Sequence, residues 1–591
     1  MILRRRLLGT ALLGALLLSA CGDGEPDDAG ADGAAGEEGP TEDELAQQQE
    51  AEERAAAEEA LEARSAALAG PSEDHRDQAS GIVAEMSLEE RAGQVLMGEY
   101  SDADGSEAAE LIEEHHLAGV IVMGHNVPRG EGGVDVDRLA AELETIRSAG
   151  GEDRAAAPMV SIDQEGGLVT RAGAPLTEWP APMAYGAGSA EEEEPSEDES
   201  APEADTSTVH HGHRQMAAEL AETGFQISFA PNADVTVGAS DPTIGSRSFS
   251  SDPGTAADLA LSGIRGLAEG GLAGSVKHFP GHGSVSEDSH YTLPVQDQTV
   301  EELRGRDWVP FAEAADAGVP MVMMGHIEVP DLDPGVPSSL SEAAYEEVRQ
   351  MGHEGVIVTD AMNMGAIAQS YGGDQAVVDA LAAGADLLLM PASAPGAHAA
   401  IIDAVESGEV EEERLGEAAE RVVALSLWQE DLAAGELDAG PDVELPEEIA
   451  PEGGTLWDQG PSSTAEQVAA EAVTLVEGEC EAPLADDAVQ VAGGTEQDRA
   501  RFTAAAEAAG LQVGWGPLVT LLGGSTPSSG DIVVAVDRPE ALADSQAETK
   551  LGLYGRSPES FAALVEVIQG AAAPGRLPVS VGEHDAGSSA C

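Results

Sequence analysis

The segment Leu272-Ala273-Gly274-Ser275-Val276-Lys277-His278-Phe279-Pro280-Gly281-His282-Gly283 begins as a short apolar run and ends in charged and titratable residues. The apolar part is typical of a short buried strand. The polar part continues to His290, so that three histidines, one lysine and two acids follow a single strand end. Because rigid scaffolds carry their binding and catalytic residues on such loops, this segment is the first candidate for a functional site.

Apolar strands alternate with helices on both sides of this segment. The predicted strands are 117–123, 158–163, 225–230, 274–276, 321–324, 355–358 and 386–390, and the predicted helices are 134–149, 214–224, 256–269, 308–317, 341–350, 375–383 and 396–407. A further helix starts after Ser87, a possible N-cap. Continuous apolar strands separated by helices indicate a parallel sheet covered on both faces. Seven or eight such units predict an α/β fold with a TIM-type (β/α)8 barrel.

The domain organisation follows from changes in composition. Residues 76–430 are predicted to form the barrel, interrupted at 190–205 by an acidic insertion that carries nine acids. A Gly/Pro/Glu-rich linker at 431–465 leads to a smaller α/β sandwich domain at 466–591. Its predicted strands are 473–476, 489–491, 532–536 and 577–581, and its predicted helices are 499–509 and 560–569.

The N-terminus indicates export. Arg4 to Arg6 form a basic region, 7–18 is an apolar region too short for an ordinary membrane span, and Leu18-Ser19-Ala20-Cys21 resembles the lipobox of bacterial lipoproteins. We therefore expect a signal peptide at 1–20, a lipid anchor on Cys21, and a location at the extracellular face of the cytoplasmic membrane. An ordinary secretory peptide with an incidental cysteine is the alternative. Residues 21–75 are predicted to be an acidic, disordered tether.

Charge and cysteine content narrow the partners. The net charge of −84 and the pI near 4.1 argue against nucleic acid, which needs a basic face. In an exported protein Cys480 and Cys591 can form a disulfide, but the sequence does not decide between a disulfide and two free thiols. A monomer is expected.

Polar residues end five of the predicted barrel strands. They are Asp163, the Asn232–Asp234 turn, the Lys277–His278 pair, His326 and Asp360. In a TIM barrel the carboxyl ends of the strands form the active-site face. These residues are therefore predicted to meet at one site.

The residue types favour a sugar substrate. Carboxylates accept hydrogen bonds from sugar hydroxyls, and Arg and Lys donate charge-assisted ones. Asp360 suits the carboxylate that meets the anomeric carbon, and His290, tuned by Asp288, suits the acid that protonates the leaving oxygen. Metal binding by His278, His282 and His290 is the competing use, but the Lys277 cation would oppose a metal. No metal and no organic cofactor are expected.

These motifs together resemble family 3 glycoside hydrolases, in the β-N-acetylglucosaminidase branch. The resemblance rests on 277–283 with 288–290, and on 163–167, 229–235, 247–249 and 359–364 in the same order, and it covers roughly 82–427. Residues 431–591 resemble the family's second domain more loosely, chiefly through 575–579. The resemblance implies that Asp360 is the nucleophile, that His290 is the acid/base assisted by Asp288, and that N-acetylglucosamine is held by Asp163, Arg171, Arg247, Lys277 and His278.

Two positions depart from the family pattern, which usually has Arg where this chain has Leu168, and often an acid where it has Ala361. The resemblance implies a retaining β-N-acetylglucosaminidase acting on peptidoglycan fragments or chitin-type oligosaccharides. A phosphorylase or β-glucosidase of the same fold is the enzymatic alternative, since a histidine acid/base does not repel phosphate as a carboxylate would. A sugar-binding cell-wall lipoprotein is the non-enzymatic alternative.

Overall fold

A computed structural model describes residues 65–151, 154, 156–189, 204–437, 460–480, 482–523 and 529–591. The predicted signal peptide and Cys21 lie outside these residues, and so do most of the predicted tether, insertion and linker. Among the described residues, no helix is both long enough and apolar enough to cross a membrane.

Eight parallel strands follow one another in chain order around the first domain. They are β1 Leu96–Gly98, β2 Gly119–Val122, β3 Met159–Ile162, β4 Ile227–Ser228, β5 Val276–Phe279, β6 Met321–Met324, β7 Val356–Thr359 and β8 Leu388–Leu389. Ala273–Gly274 pairs with β4 and continues into β5. A bridge from Val358 to Leu387 joins β7 to β8, which pairs with β1. The ring is therefore closed, and the predicted TIM-type barrel is confirmed.

Helices alternate with these strands and cover the outside of the barrel. They are α1 Glu73–Glu85, α2 Leu88–Gln94, α3 Ser106–His115, α4 Val136–Arg147, α5 Pro182–Gly188, α6 Ser207–Thr223, α7 Pro253–Glu269, α8 Val300–Arg304, α9 Val309–Asp316, α10 Glu342–Gln350, α11 Gly365–Ala368, α12 Gly373–Ala383, α13 Ala394–Ser407 and α14 Glu412–Ala434. The predicted Ser87 cap is confirmed, because its side chain accepts from the Glu90 amide at the start of α2.

The barrel interior is filled by one side of each strand. Met97, Met159, Met321 and Met323 are almost fully buried in one apolar cluster there, and Trp428 of α14 joins the same cluster. Flexible methionine side chains fit irregular gaps well. The opposite sides of the strands pack against the helices in a separate, larger cluster. These two layers hold the strand ends, and therefore the candidate site, in fixed positions.

The second domain contains a five-stranded sheet. Its strands are β9 Thr474–Glu477, β10 Ala488–Gly493, β11 Gln512–Leu522, β12 Ile532–Ala535 and β13 Thr549–Gly552, in the order β9-β13-β12-β11-β10, and its helices are α15 Pro461–Ala472, α16 Glu496–Ala508 and α17 Pro558–Ile568. Only the β9–β13 pair is antiparallel. The predicted second α/β domain is confirmed, and Cys480 and Cys591 form a disulfide.

The predicted strand at 577–581 is wrong. Its backbone groups bond elsewhere: the Leu577 amide donates to Ser588, and the Pro578 carbonyl accepts from the Ser251 amide of the barrel at 3.0 Å. Three boundaries also differ. Residues 65–69 are helical and α1 begins at Glu73, so helical structure starts before the predicted end of the tether at 75. The helix α14 ends at Ala434, beyond the predicted end of the barrel at 430. The helix α15 begins at Pro461, before the predicted start of the second domain at 466.

Candidate active site

The carboxyl ends of β3 to β7 meet at one face of the barrel. The Asp360 amide donates to the Met324 carbonyl at 2.8 Å, and Asn232 and Lys277 form a parallel bridge. The Lys277 segment is held from behind by Trp308, whose indole donates to the Pro280 carbonyl at 2.9 Å. As predicted, polar residues from five strands lie on this face.

A buried ion network occupies one side of the site. The Lys277 ammonium lies 2.9 Å from an Asp163 oxygen and 2.6 Å from a Glu165 oxygen. Arg247 donates to both oxygens of Glu165, at 2.9 and 2.8 Å. Burial alone would raise the pKa of Glu165, but Arg247 and Lys277 outweigh it and hold that pKa well below its usual range. Burial would likewise lower the pKa of Lys277, yet Asp163 and Glu165 raise it, so the ammonium stays charged.

A second buried carboxylate, Asp234, organises the histidines. One oxygen lies 2.7 Å from His278 Nδ1 and accepts from the Asn232 amide group at 2.9 Å. The other accepts from the backbone amides of His278 and His282. Burial opposes ionisation, but these partners lower the pKa of Asp234 to about 2. A fixed negative charge therefore orients His278 at the site.

Arg247 sits on a turn that Asp241 shapes. The buried Asp241 carboxylate accepts from the backbone amides of Thr243, Ile244 and Gly245 at 3.1, 2.8 and 3.0 Å. These bonds close the short 3-10 turn that ends at Arg247. The guanidinium is thereby aimed at Glu165 before any substrate arrives.

Arg171 follows a tight hairpin after β3. The hairpin pairs Gln164–Gly166 with Val169–Thr170. Gly166 and Gly167 have positive φ angles there, which glycine adopts without strain, and a Cβ on Gly167 would lie 2.6 Å from the Ala181 side chain. Arg171 comes within 3.9 Å of Asp163, and its buried Nε has no hydrogen-bond partner among the described residues. Arg171 thus lies beside the ion network, and its Nε–H can still donate a hydrogen bond to a ligand.

Asp360 directly follows β7 and is partly exposed. One carboxylate oxygen accepts from the Ala361 amide at 2.8 Å. Burial would raise its pKa, but His278 and His326, together with that hydrogen bond and Lys277, bring the pKa below its usual value. The group is thus an ionised, partly exposed carboxylate, and an ionised carboxylate is the form that can act as a nucleophile.

His290 lies on the exposed loop after β5. Its Nδ1 is 2.7 Å from an Asp288 oxygen, and the same oxygen accepts from the His290 amide at 2.9 Å. The His290 side chain is 60% exposed. The loop is tied to α11, just beyond Asp360, because the Gly365 amide donates to the His290 carbonyl at 3.1 Å. The predicted pairing of Asp288 with His290 is therefore present, next to the segment that follows Asp360.

The predicted site residues come together, and three further residues share the site. They are Glu165, Asp234 and His326; Asp234 and His326 were predicted to lie at this face without an assigned role, and Glu165 follows the predicted Asp163 closely. His326 Nε2 donates to the Ala361 carbonyl at 2.9 Å, and the Ser339 hydroxyl bonds to its Nδ1. Burial lowers the pKa of His326, so a neutral imidazole holds the backbone next to Asp360. The signal was available, since all three residues closely follow predicted strands.

The metal alternative needs three histidines on one ion. In the part of the chain that the structure describes, no group of three His, Cys, Asp or Glu side chains could hold one. His278, His282 and His290 bond instead to Asp234, Ser289 and Asp288 respectively.

The barrel and the acidic and basic residues at its strand ends suit a glycoside hydrolase. The family model described as "Glycosyl hydrolase family 3 N terminal domain" matches residues 87–425, more than half of the chain. The protein therefore belongs to glycoside hydrolase family 3.

Individual relatives agree with this assignment. The chain is 28% identical over 344 residues to "Beta-hexosaminidase A" of Pseudoalteromonas piscicida, covering 54% of each chain. It is 32% identical to "Beta-hexosaminidase LpqI" of Mycobacterium tuberculosis, covering 52% of this chain and 74% of that one. A solved family 3 β-N-acetylglucosaminidase from Paenibacillus sp. str. FPU-7 matches with a TM-score of 0.70 and 26% identity over 83% of this chain and 98% of that one. The chain thus spans about half of the first relative, most of the second and nearly all of the third.

Proposed function

We propose that the protein is an exported retaining β-N-acetylglucosaminidase that removes terminal N-acetylglucosamine from peptidoglycan fragments or chitin-type oligosaccharides. The observation that carries the proposal is the ionised Asp360 at the end of β7, beside the loop that holds the His290–Asp288 pair. The names of the relatives support the choice of N-acetylhexosamine.

In the first step the Asp360 carboxylate attacks the anomeric carbon and the glycosidic bond breaks. Asp288 accepts a hydrogen bond from His290 Nδ1–H, so the Nδ1 proton stays on the ring and Nε2 is the nitrogen that exchanges a proton with the substrate. His290 therefore donates a proton to the leaving oxygen. In the second step it takes a proton from water, which attacks the same carbon and frees Asp360. The exposure of His290 suits this step, because water reaches it directly.

Asp163, Arg171, Arg247, Lys277 and His278 would hold the sugar beside Asp360. Lys277 and Arg247 already share the Glu165 carboxylate, so their donor groups are fixed before substrate binds. Such preorganisation reduces the cost of orienting the substrate.

The direct test is hydrolysis of nitrophenyl N-acetyl-β-glucosaminide by the protein that lacks its first 21 residues. We expect free N-acetylglucosamine as the product, no dependence on phosphate, and much slower cleavage of the matching β-glucoside. Sugar-1-phosphate as the main product in millimolar phosphate would establish the phosphorylase instead. Failure to cleave either glycoside would favour a sugar-binding protein.

Export and anchoring form a separate part of the proposal. It rests on the basic and apolar residues that precede Cys21. Cys21→Ser should prevent lipidation and release the protein from the membrane fraction. A variant that remains with the membrane would contradict the anchor.

A further inference from the structure

Exposed apolar side chains lie mainly on the loops of the active-site face. In the described part of the chain, the large apolar residues with exposed side chains are Leu168, Val237, Tyr291, Val295 and Trp515. The first four lie on loops that follow β3, β4 and β5, at the active-site face, and only Trp515 belongs to the second domain. Single exposed apolar residues need no explanation, but a concentration of them on one face marks a binding surface.

Tyr291 is the most exposed of these residues, at 71%, and directly follows His290. Its backbone is fixed on both sides: its amide donates to the Asp288 carbonyl at 3.0 Å, and its carbonyl accepts from the Gln369 side chain at 2.9 Å. A Cβ on Gly365 would lie 3.1 Å from Tyr291 Cα, so this backbone packs closely on α11. A rigid backbone therefore presents a solvent-exposed aromatic ring next to His290.

We propose that Tyr291 is the platform of an aglycone subsite, on which the apolar face of a neutral pyranose stacks. The inference rests on the proposed function, because His290 must protonate the oxygen that joins the cleaved sugar to its aglycone. The aglycone consequently leaves on the side of His290, where Tyr291 lies. A pyranose ring carries a face of C–H groups, and an aromatic ring offers large apolar area with little conformational freedom to lose.

The charge around Tyr291 selects a neutral aglycone. The loop 284–295 contains Glu287 and Asp288 and has no lysine or arginine. Glu287 is an exposed acidic side chain, and the bonds to His290 lower the pKa of Asp288 against the opposing effect of burial, so the Asp288 carboxylate is charged near neutral pH. A sugar with its own carboxylate, such as N-acetylmuramic acid, would be repelled at short range. The subsite therefore favours a chitin-type N-acetylglucosamine aglycone.

The experiment compares Tyr291→Ala, Tyr291→Phe and a matched control, Trp515→Ala, which removes an exposed aromatic side chain in the second domain. The substrates are N,N′-diacetylchitobiose and N-acetyl-β-glucosaminyl fluoride, whose leaving group is too small to stack. Tyr291→Ala should lower kcat/KM for chitobiose about tenfold, mainly through KM, and leave the fluoride unchanged. Tyr291→Phe and Trp515→Ala should match the wild type on both substrates.

A third substrate, N-acetylglucosaminyl-N-acetylmuramic acid, tests the charge argument. The wild type should cleave it more slowly than chitobiose at low salt, and added salt should narrow the gap by screening. Equal losses of Tyr291→Ala on chitobiose and fluoride, no loss on either, or faster cleavage of the anionic disaccharide at low salt would overturn the subsite. A wild type that cleaves none of the three substrates would instead overturn the proposed function.

Discussion

His290 and Asp360 carry different parts of the proposed chemistry, so substitutions at the two residues should differ in their effects. Asp360→Ala removes the group that bonds the anomeric carbon and should abolish turnover with every leaving group. His290→Ala should slow disaccharide cleavage by about a hundred- to ten-thousandfold. A nitrophenolate leaves without much protonation, so formation of the glycosyl-enzyme should suffer less with that substrate.

The second step provides an independent readout for His290→Ala. A sugar trapped on Asp360 should accumulate and be visible by mass spectrometry of the intact protein. Azide, which needs no deprotonation, should rescue turnover and yield a β-glycosyl azide. Equal losses on both substrates, with no trapped sugar and no azide rescue, would remove His290 from this role and make Glu287 the next residue to test.

Asp234 should make stability depend on pH in a predictable direction. Its pKa falls from 3.8 to about 2 in the folded protein. A depressed pKa stabilises the fold above the unfolded value, and the contribution is lost as the pH falls towards 2. We expect Asp234→Asn to lower the free energy of unfolding by about 2 kcal/mol at pH 7. Urea unfolding should show that difference shrinking between pH 4 and pH 3. A difference that stays constant with pH would assign the loss to packing or hydrogen bonding alone.

At the scale of residues, the sequence reveals the polar strand ends but not how they pair. Asp163 and Lys277 were predicted at the site, and they form a direct ion pair. The roles of Glu165 and Asp234 were missed because their partners, Arg247 and His278, lie 82 and 44 residues further along the chain. Only the closed barrel brings those partners within hydrogen-bond distance.

A buried hydrogen bond helps to hold the loop that carries His290. Ser289 is almost fully buried, and its hydroxyl lies 2.9 Å from His282 Nε2. We expect Ser289→Ala to lower kcat about tenfold, because small displacements of a catalytic group are costly. Ser289 acts here as a positioning residue, so the pH dependence of the remaining activity should keep its shape.

The matched control for that variant is Ser286→Ala on the same loop. Ser286 is exposed, and its hydroxyl bonds only to the neighbouring Glu287, at 3.0 Å. Steady-state rates of the two variants on one disaccharide would decide the point. Identical rates for Ser289→Ala and the wild type would show that the contact does not hold His290.

At the scale of elements, long apolar runs were predicted well and interrupted ones were not. The strand β11, Gln512–Leu522, contains Gly514, Trp515, Gly516 and Pro517, which indicate a loop in sequence. The sheet accommodates them through a register shift in the β10–β11 pairing, between Val489 and Gln490. Val489 pairs with Val513 and Gln490 with Leu518, so residues 514–517 are left out of the pairing. The local sequence therefore marks the interruption but not that the same strand resumes after it.

At the scale of the whole molecule, the second domain packs against the barrel loops of the site. The Ala181 amide donates to the Tyr554 carbonyl at 3.0 Å, and Arg501 pairs with Glu178 at 2.6 Å. The Pro578 carbonyl accepts from Ser251, close to the turn that carries Arg247. All proposed catalytic residues belong to the barrel, so among the described residues these contacts are a route by which the second domain can act on the site.

Arg538 of the second domain contacts the turn that carries Arg247. It donates to the Gly238 carbonyl at 3.1 Å. Its side chain also packs on Gly245, because a Cβ added there would lie 2.9 Å from Arg538 Cδ. Arg538→Ala should therefore loosen the turn while Glu165 still holds the Arg247 guanidinium. We expect KM for N-acetylglucosaminides to rise by up to about tenfold, the equivalent of one hydrogen bond, with kcat nearly unchanged.

Arg499→Ala is the control for this prediction, because Arg499 bonds to the carbonyls of Gly493 and Gly494 inside the second domain. It should leave KM unchanged. Thermal unfolding of both variants would separate a local effect on the turn from a general loss of stability. If Arg538→Ala and Arg499→Ala changed KM equally, the second domain would act on the site through overall stability. If neither changed KM, the turn would be held by Asp241 and Glu165 alone, and a barrel without its second domain should then bind sugar as well as the full chain.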